Sequence, residues 1–195
     1  MDYKQIYERV FREELKYNDL GEQEENYLYV TRFLNSRVDQ FNSVVDFGSG
    51  RGVLLNYLLE IFQPNQILSC DLARFHDLPI EFMELDLTKD LHLLVGKRFF
   101  DLVTCTDVLE HLEPCELDQV LNKLSNLAKY FVFTIANHCS PIGGVELHLT
   151  REPFPFWKNL LEQYFIIEEF QVMKKEHLFG FVLTSKICRR SLVDC

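Results

Sequence analysis

The chain has 195 residues, of which 47% are hydrophobic and 13% aromatic, and a formal net charge of −10. Such a length is one domain, able to bury most of its apolar surface without staples, and the charge argues against gripping duplex nucleic acid through its phosphates, which takes clustered Lys and Arg. The six cysteines form no C-x-x-C pair, and no run reaches the roughly eighteen apolar residues that cross a bilayer, so a cytoplasmic protein with no secretion signal and no membrane segment is expected.

In chain order, Tyr3, Ile6, Val10 and Phe11 share one face of a first helix, and a second is expected around residues 27–38. Together they form a helical cap over 1–42, ahead of a core spanning 43–187; the reading is a single domain over 1–195. The first strand is Ser43 to Phe47, with Asp46 near its carboxyl end. Gly48, Gly50 and Gly52 then make a turn, Phe47-Gly48-Ser49-Gly50-Arg51-Gly52, whose backbone can lie flat against a ligand. A buried helix follows from Val53 to Phe62, stopped by Pro64, and presents its positive end to that ligand. The spacing is G-x-G-x-G; the third glycine of the dinucleotide pattern would fall at Val53. An acid at the strand end repels a pyrophosphate and attracts an ammonium group, so a ligand carrying an amino acid, such as S-adenosylmethionine, suits Asp46. A tight strand-to-helix connection with no ligand explains the same glycines.

Strand-like runs recur at Gln66 to Cys70, Ile80 to Leu85, Phe100 to Cys105 and Tyr130 to Ile135. The clearest helix between them is Pro114 to Leu127, with Pro114 near its start and Leu117, Val120, Leu121, Leu124 and Leu127 on one face. Alternation of this kind predicts a doubly wound, Rossmann-like α/β fold with a mostly parallel sheet. The end departs from it. Phe165 to Met173 and Leu178 to Ile187 are separated by too few residues for a parallel crossover, so they are expected as an antiparallel terminal hairpin completing seven strands. Phe154, Trp157 and Leu161 fall at helical spacing behind Pro153, which reads as a core-facing helix rather than a stacking platform.

Ligands of such sheets bind beyond the carboxyl ends of the strands. Asp71 ends the second strand, where an acid can take both hydroxyls of a ribose; Asp86 ends the third, placed to accept from an adenine amino group; the fourth runs into Asp107-Val108-Leu109-Glu110-His111-Leu112. Taken singly, each acid is equally a loop carboxylate or a helix cap.

In sequence these features resemble the class I S-adenosylmethionine-dependent methyltransferases. By that resemblance Val44 to Gly52 is the family's first motif, Asp71 and Leu72 lie at the ribose, Asp86 and Leu87 at the adenine, and Asp46, Phe47, Gly48, Ser49, Gly50 and Gly52 hold the methionine part, while Thr106 lines the sulfonium region. It implies the cofactor S-adenosylmethionine and a transferase activity. Methyl transfer to a hydroxyl also needs a base. His111 and His148 are the candidates, although His111 can equally pack under the cofactor, and His138 faces the expected pocket as an acceptor contact. Asp107, Glu110 and His111, with His148, are also similar to metal-binding runs in small-RNA 2′-O-methyltransferases, but no metal ligand is assigned. Tyr3, Tyr7 and Phe11 either form a lid or pack on the sheet. The expected acceptor is a small molecule methylated on O or N, with the protein a monomer or homodimer. Two alternatives stay open: a metal-assisted RNA-terminal 2′-O-methyltransferase, and a non-catalytic cofactor-binding partner. A nicotinamide-dependent oxidoreductase fits less well, since the glycine spacing is wrong for it.

Overall fold

β-branched and aromatic residues at β1 (Ser43–Phe47), β2 (Gln66–Asp71), β3 (Glu81–Glu84), β4 (Phe100–Thr106) and β5 (Ala128–Ala136) build the parallel part of a sheet. The computed structural model of the chain describes residues 3–13, 27, 30–32, 34–35, 41–142, 144–173 and 177–186. Seven strands run in the order β3-β2-β1-β4-β5-β9-β8, with β8 (Phe165–Met173) and β9 (Leu178–Ser185) antiparallel to each other and β9 antiparallel to β5. The anticipated α/β architecture and terminal hairpin are therefore present; Ile187, the expected end of the last strand, lies outside the described residues.

Helices cover both faces. Leu54 and Leu58 of α2 (Val53–Phe62) pack with Val44, Leu102 and Val132 on one face, joined by Val30 and Leu34. These last two belong to the second expected helix, whose described residues 27, 30–32 and 34–35 are helical; the rest of 27–38 lies outside the described residues. On the other face, α3 (Pro114–Leu124) and α4 (Phe154–Tyr164) bring Leu117, Leu121, Trp157 and Leu161 against Val45, Phe47, Val103 and Phe133. Strand alternation explains the division: Val44 and Asp46 point to one side, Val45 and Phe47 to the other.

α3 begins with a reciprocal capping box between Glu113 and Glu116 and ends at Leu124, three residues before the expected Leu127. Ser125 to Leu127 turn instead, because the chain must swing Ala128 into register with Phe100. The β2–β3 connection carries no helix. A miniature hairpin of β6 (Pro141–Ile142) and β7 (Val145–Glu146) turns at Gly144, where φ is +80°. Against it packs α1 (Tyr3–Glu13), through Val10 on Ile142 and Leu147.

Candidate functional site

The carboxyl ends of β1, β2 and β4 stand level, since Asp46 pairs in register with Ser69 on one side and Thr104 on the other. Beyond them the amides of Gly48 and Ser49 donate to the Cys70 carbonyl at 2.8 and 3.2 Å, which folds the glycine turn back over β2. Gly48 has φ +70°, and a Cβ there would stand 2.2 Å from Val108 Cγ2, so no side chain fits. The Gly50 amide donates to Asp71 Oδ2 at 2.8 Å and the Leu72 amide to Oδ1 at 2.7 Å. Each oxygen keeps a lone pair, so the fixed carboxylate can still accept from two hydroxyls. Burial pushes the Asp71 carboxyl up to about 6 against the pull of those amides.

Asp46 is 2% exposed and accepts from Thr104 Oγ1 at 2.6 Å. Burial, reinforced by the charge of Asp71, pushes its carboxyl up to about 7 in spite of that bond. A carboxylate held this way gains from a cation beside it, which is what an ammonium group supplies. Tyr27 lies close enough to Asp46 and Asp107 for their charges to add to burial in raising its phenol. Asp86 is employed within its own turn: Oδ1 accepts from the Thr88 amide (2.9 Å) and hydroxyl (2.7 Å), and Oδ2 from Lys89 Nζ (2.6 Å). Burial acts to raise that carboxyl, and these bonds outweigh it, leaving it below the ordinary range. Thr106 ends β4 at 7% exposure. Phe47 and Leu87 point into the apolar core, so Phe47 offers a ligand its main chain alone.

Past β4 and β5 lies a cluster of rings. His111, in a 3-10 turn from Leu109 to His111, faces His148 with centroids 4.7 Å apart. Tyr7 of α1 brings its hydroxyl to 2.6 Å from His111 Nδ1, which also lies 2.9 Å from the Leu147 carbonyl. His148 Nδ1 donates to the His138 carbonyl at 2.7 Å, leaving Nε2 as the lone-pair nitrogen. Burial, aided by His148, lowers His111 to about 3, and burial also lowers His148. Both rings are thus neutral near pH 7 and weak as bases. The exposed His138 ring sits 4.9 Å from that of His148.

Glu110 is wholly buried; its Oε1 accepts from the Ala136 amide at 2.8 Å, while Oε2 has no hydrogen-bond partner. Burial and then Asp107 drive this carboxyl well above its usual value. The ligating atoms of Glu110, His111 and His148 all lie within 4.8 Å of one another. Asp107, the other acid of the run, has φ +54° and accepts from Thr134 Oγ1 at 2.8 Å.

Two groups escaped the reading of the sequence. Ser69 Oγ donates to Ser49 Oγ at 2.7 Å and lies 2.8 Å from His76 Nε2, a buried chain that braces the glycine turn from below. Tyr27 is the other. Their signal was the polarity of Ser69 within an apolar strand and of Tyr27 within an apolar helix face.

The family model described as a methyltransferase domain matches residues 20–178. Among solved structures, the fold is similar to 1,6-didemethyltoxoflavin-N1-methyltransferase of Burkholderia thailandensis, solved with S-adenosylhomocysteine (TM-score 0.70, 18% identity, 94% of this chain and 86% of that one). N-methyltransferase NodS of Bradyrhizobium japonicum WM9, in complex with S-adenosylhomocysteine, gives 0.71 at 12% identity, over 95% and 100% of the chains. A protein of Pyrococcus horikoshii OT3 gives 0.67 at 19% identity, over 91% and 99%. Comparison with curated protein sequences finds no match.

Proposed function

Because the chain belongs to the methyltransferase-domain family, whose cofactor is S-adenosylmethionine, we propose that it transfers the cofactor's methyl group to an oxygen or nitrogen of a small-molecule acceptor. One observation carries this reading: two carboxylates, the buried Asp46 and the partly buried Asp71, flank the glycine turn at neighbouring strand ends, and the Gly50 amide ties Asp71 to that turn. Asp46 faces the cofactor's ammonium group; Asp71 accepts from its ribose hydroxyls. Asp86 Oδ2, which accepts from Lys89 alone, keeps a lone pair for an adenine amino group.

The reaction is an in-line displacement. A lone pair on the acceptor forms the new bond to the methyl carbon, the carbon–sulfur bond breaks, and its electrons stay on sulfur, which leaves as a neutral thioether. The acceptor's proton must then go to a base. We assign that role to His148 Nε2, which is unprotonated at neutral pH, with the His111 ring packed against it. Its lowered basicity suits an amine acceptor, which needs little help, better than an alcohol. The 18%-identical Burkholderia thailandensis protein is an N1-methyltransferase, which is consistent with that preference. The compartment we assign is the cytoplasm, on the cysteine spacing.

A second reading rests on the Glu110–His111–His148 cluster. Two neutral imidazoles and a carboxylate whose Oε2 is buried without a partner form a donor set that suits a divalent transition metal. Such an ion would polarise an acceptor hydroxyl and so favour O-methylation, including the RNA-terminal alternative.

Titration calorimetry with S-adenosylhomocysteine, run beside NAD, tests the cofactor assignment. Micromolar binding of the first alone, roughly −8 kcal/mol, is expected; binding of NAD alone would overturn it. Loss of methyl transfer on exhaustive chelation, restored by a divalent ion, selects the second reading; full activity after chelation removes it. Tight S-adenosylhomocysteine binding with no product from any acceptor would favour a non-catalytic partner.

A further inference from the structure

A cavity of about 330 Å³ lies between the last turn of α1, the start of α2 and the loop after β2. By volume it holds roughly ten waters. Its polar lining is Arg12, Arg51, Arg74, His76 and Asp77. In a chain of net charge −10, three guanidinium groups gathered around a single carboxylate are out of character. Among the described residues none of the three has a carboxylate within ion-pair distance.

Two of the guanidinium groups are held by main-chain oxygens. Arg51 Nη2 donates to the Phe11 carbonyl; Arg74 donates from Nε to the His76 carbonyl at 3.0 Å and from Nη2 to the Leu78 carbonyl at 2.7 Å. These bonds aim the groups without neutralising them. Arg51 Nε is buried and has no hydrogen-bond partner, so the part of this guanidinium left for an occupant of the cavity is its outer edge. Phe11 stacked on Phe75, centroids 4.3 Å apart, forms an apolar wall, and Arg51 directly precedes Gly52, the cap of α2, so the positive end of that helix adds to the field.

We propose that this cavity binds the phosphate group of a small ligand, beside the cofactor cleft and separate from it. Three guanidinium charges against Asp77 leave two in excess, which a phosphate monoester dianion balances and a single carboxylate does not. Planar forks also match phosphate oxygens pairwise. S-adenosylmethionine carries no phosphate, so the ligand is either the acceptor itself or a separate effector. Tyr7 and Phe11 stand one turn apart on α1, one at the histidine cluster and one at the cavity wall, so an occupant of the cavity bears on the same helix that touches His111.

The test is calorimetry and thermal denaturation of the whole protein with inorganic phosphate against chloride at equal ionic strength, with and without saturating S-adenosylhomocysteine. Expected is a phosphate-specific rise in melting temperature, persisting with S-adenosylhomocysteine bound, and binding weakened at least fivefold by Arg12→Ala and by Arg51→Gln. Arg12 makes no described contact that folding needs, so the first variant stays folded. No stabilisation beyond that of chloride, or equal binding by both variants, overturns the proposal. Displacement of phosphate by S-adenosylhomocysteine also overturns it, since the arginines would then hold the cofactor's own carboxylate. Ribose 5-phosphate, compared with ribose, separates the sources: methylation of the ester marks an acceptor site, and binding without methylation an effector site. Phosphate binding without S-adenosylhomocysteine binding would leave the site standing while the methyl-transfer reading fell.

Discussion

At Asp46 a carboxyl has been buried with one hydroxyl for company, and its titration follows from that choice. The unfolded side chain ionises near 3.8 and the folded one near 7. Between those values the unfolded state has released a proton that the folded state keeps, so the group's contribution to stability falls as pH rises from about 4 to 7. Asp46→Asn removes the dependence. Urea denaturation of the ligand-free protein should therefore show the variant gaining on the parent by up to about 4 kcal/mol over that interval, then levelling; parallel curves would refute the burial argument. Asp71→Ala should weaken S-adenosylhomocysteine by about 1–3 kcal/mol, roughly 5- to 150-fold, in calorimetry. Asp46 stood out because it lies just before the glycine turn at the end of β1, and Asp71 because it closes the next strand. Tyr7 with His111, 104 residues apart, was not legible as a pair, since no local pattern records a contact made by tertiary packing. Glu110 was legible only as part of a run; its buried, half-satisfied carboxyl depends on the Ala136 amide at the end of β5.

Among the elements, α1 joins the most parts of the site. It touches the histidine cluster through Tyr7, the loop after β2 through Phe11 on Phe75, and β3 through the ion pair of Lys4 with Glu84. The sequence left open whether its aromatics form a lid or pack on the sheet; Phe11 stands 3.4 Å from where a Gly50 Cβ would be, over the glycine turn rather than the sheet face. Tyr7→Phe retains the edge-on ring contact, centroids 5.5 Å apart, and deletes the hydroxyl. Methyl transfer should fall about fivefold, the worth of one hydrogen bond, with cofactor affinity unchanged; an equal loss in both would show that the hydroxyl merely positions the helix. The β6–β7 hairpin, against which α1 packs, was invisible beforehand because two-residue strands carry no periodicity.

Across the whole molecule, the doubly wound parallel sheet was readable from alternating strands and helices, and the reversal at its end from a connection too short to cross over, whereas the order of the strands was not. Helix ends were less so, as α3 shows, because the pull of Ala128 into the sheet is a long-range effect. Trp157 fastens α4 to the sheet with no exposed surface, and Trp157→Ala should cost about 3–5 kcal/mol in denaturant unfolding. A loss below about 1 kcal/mol would mean that α4 is not integral to the core. The place of β9 has a further consequence, for biosynthesis. It lies between β5 and β8, pairing with β5 from Tyr130 to Ala136, yet it is translated after every other described strand. Until then the nascent chain exposes the hydrogen-bonding edge of β5, an apolar strand containing Phe131, Val132, Phe133 and Ile135. Such an edge is a template for any strand that arrives first, including one from a neighbouring ribosome, so chaperone shelter during synthesis matters most over the last fifty residues before β9 is complete, a span of about fifty from β5 to β9.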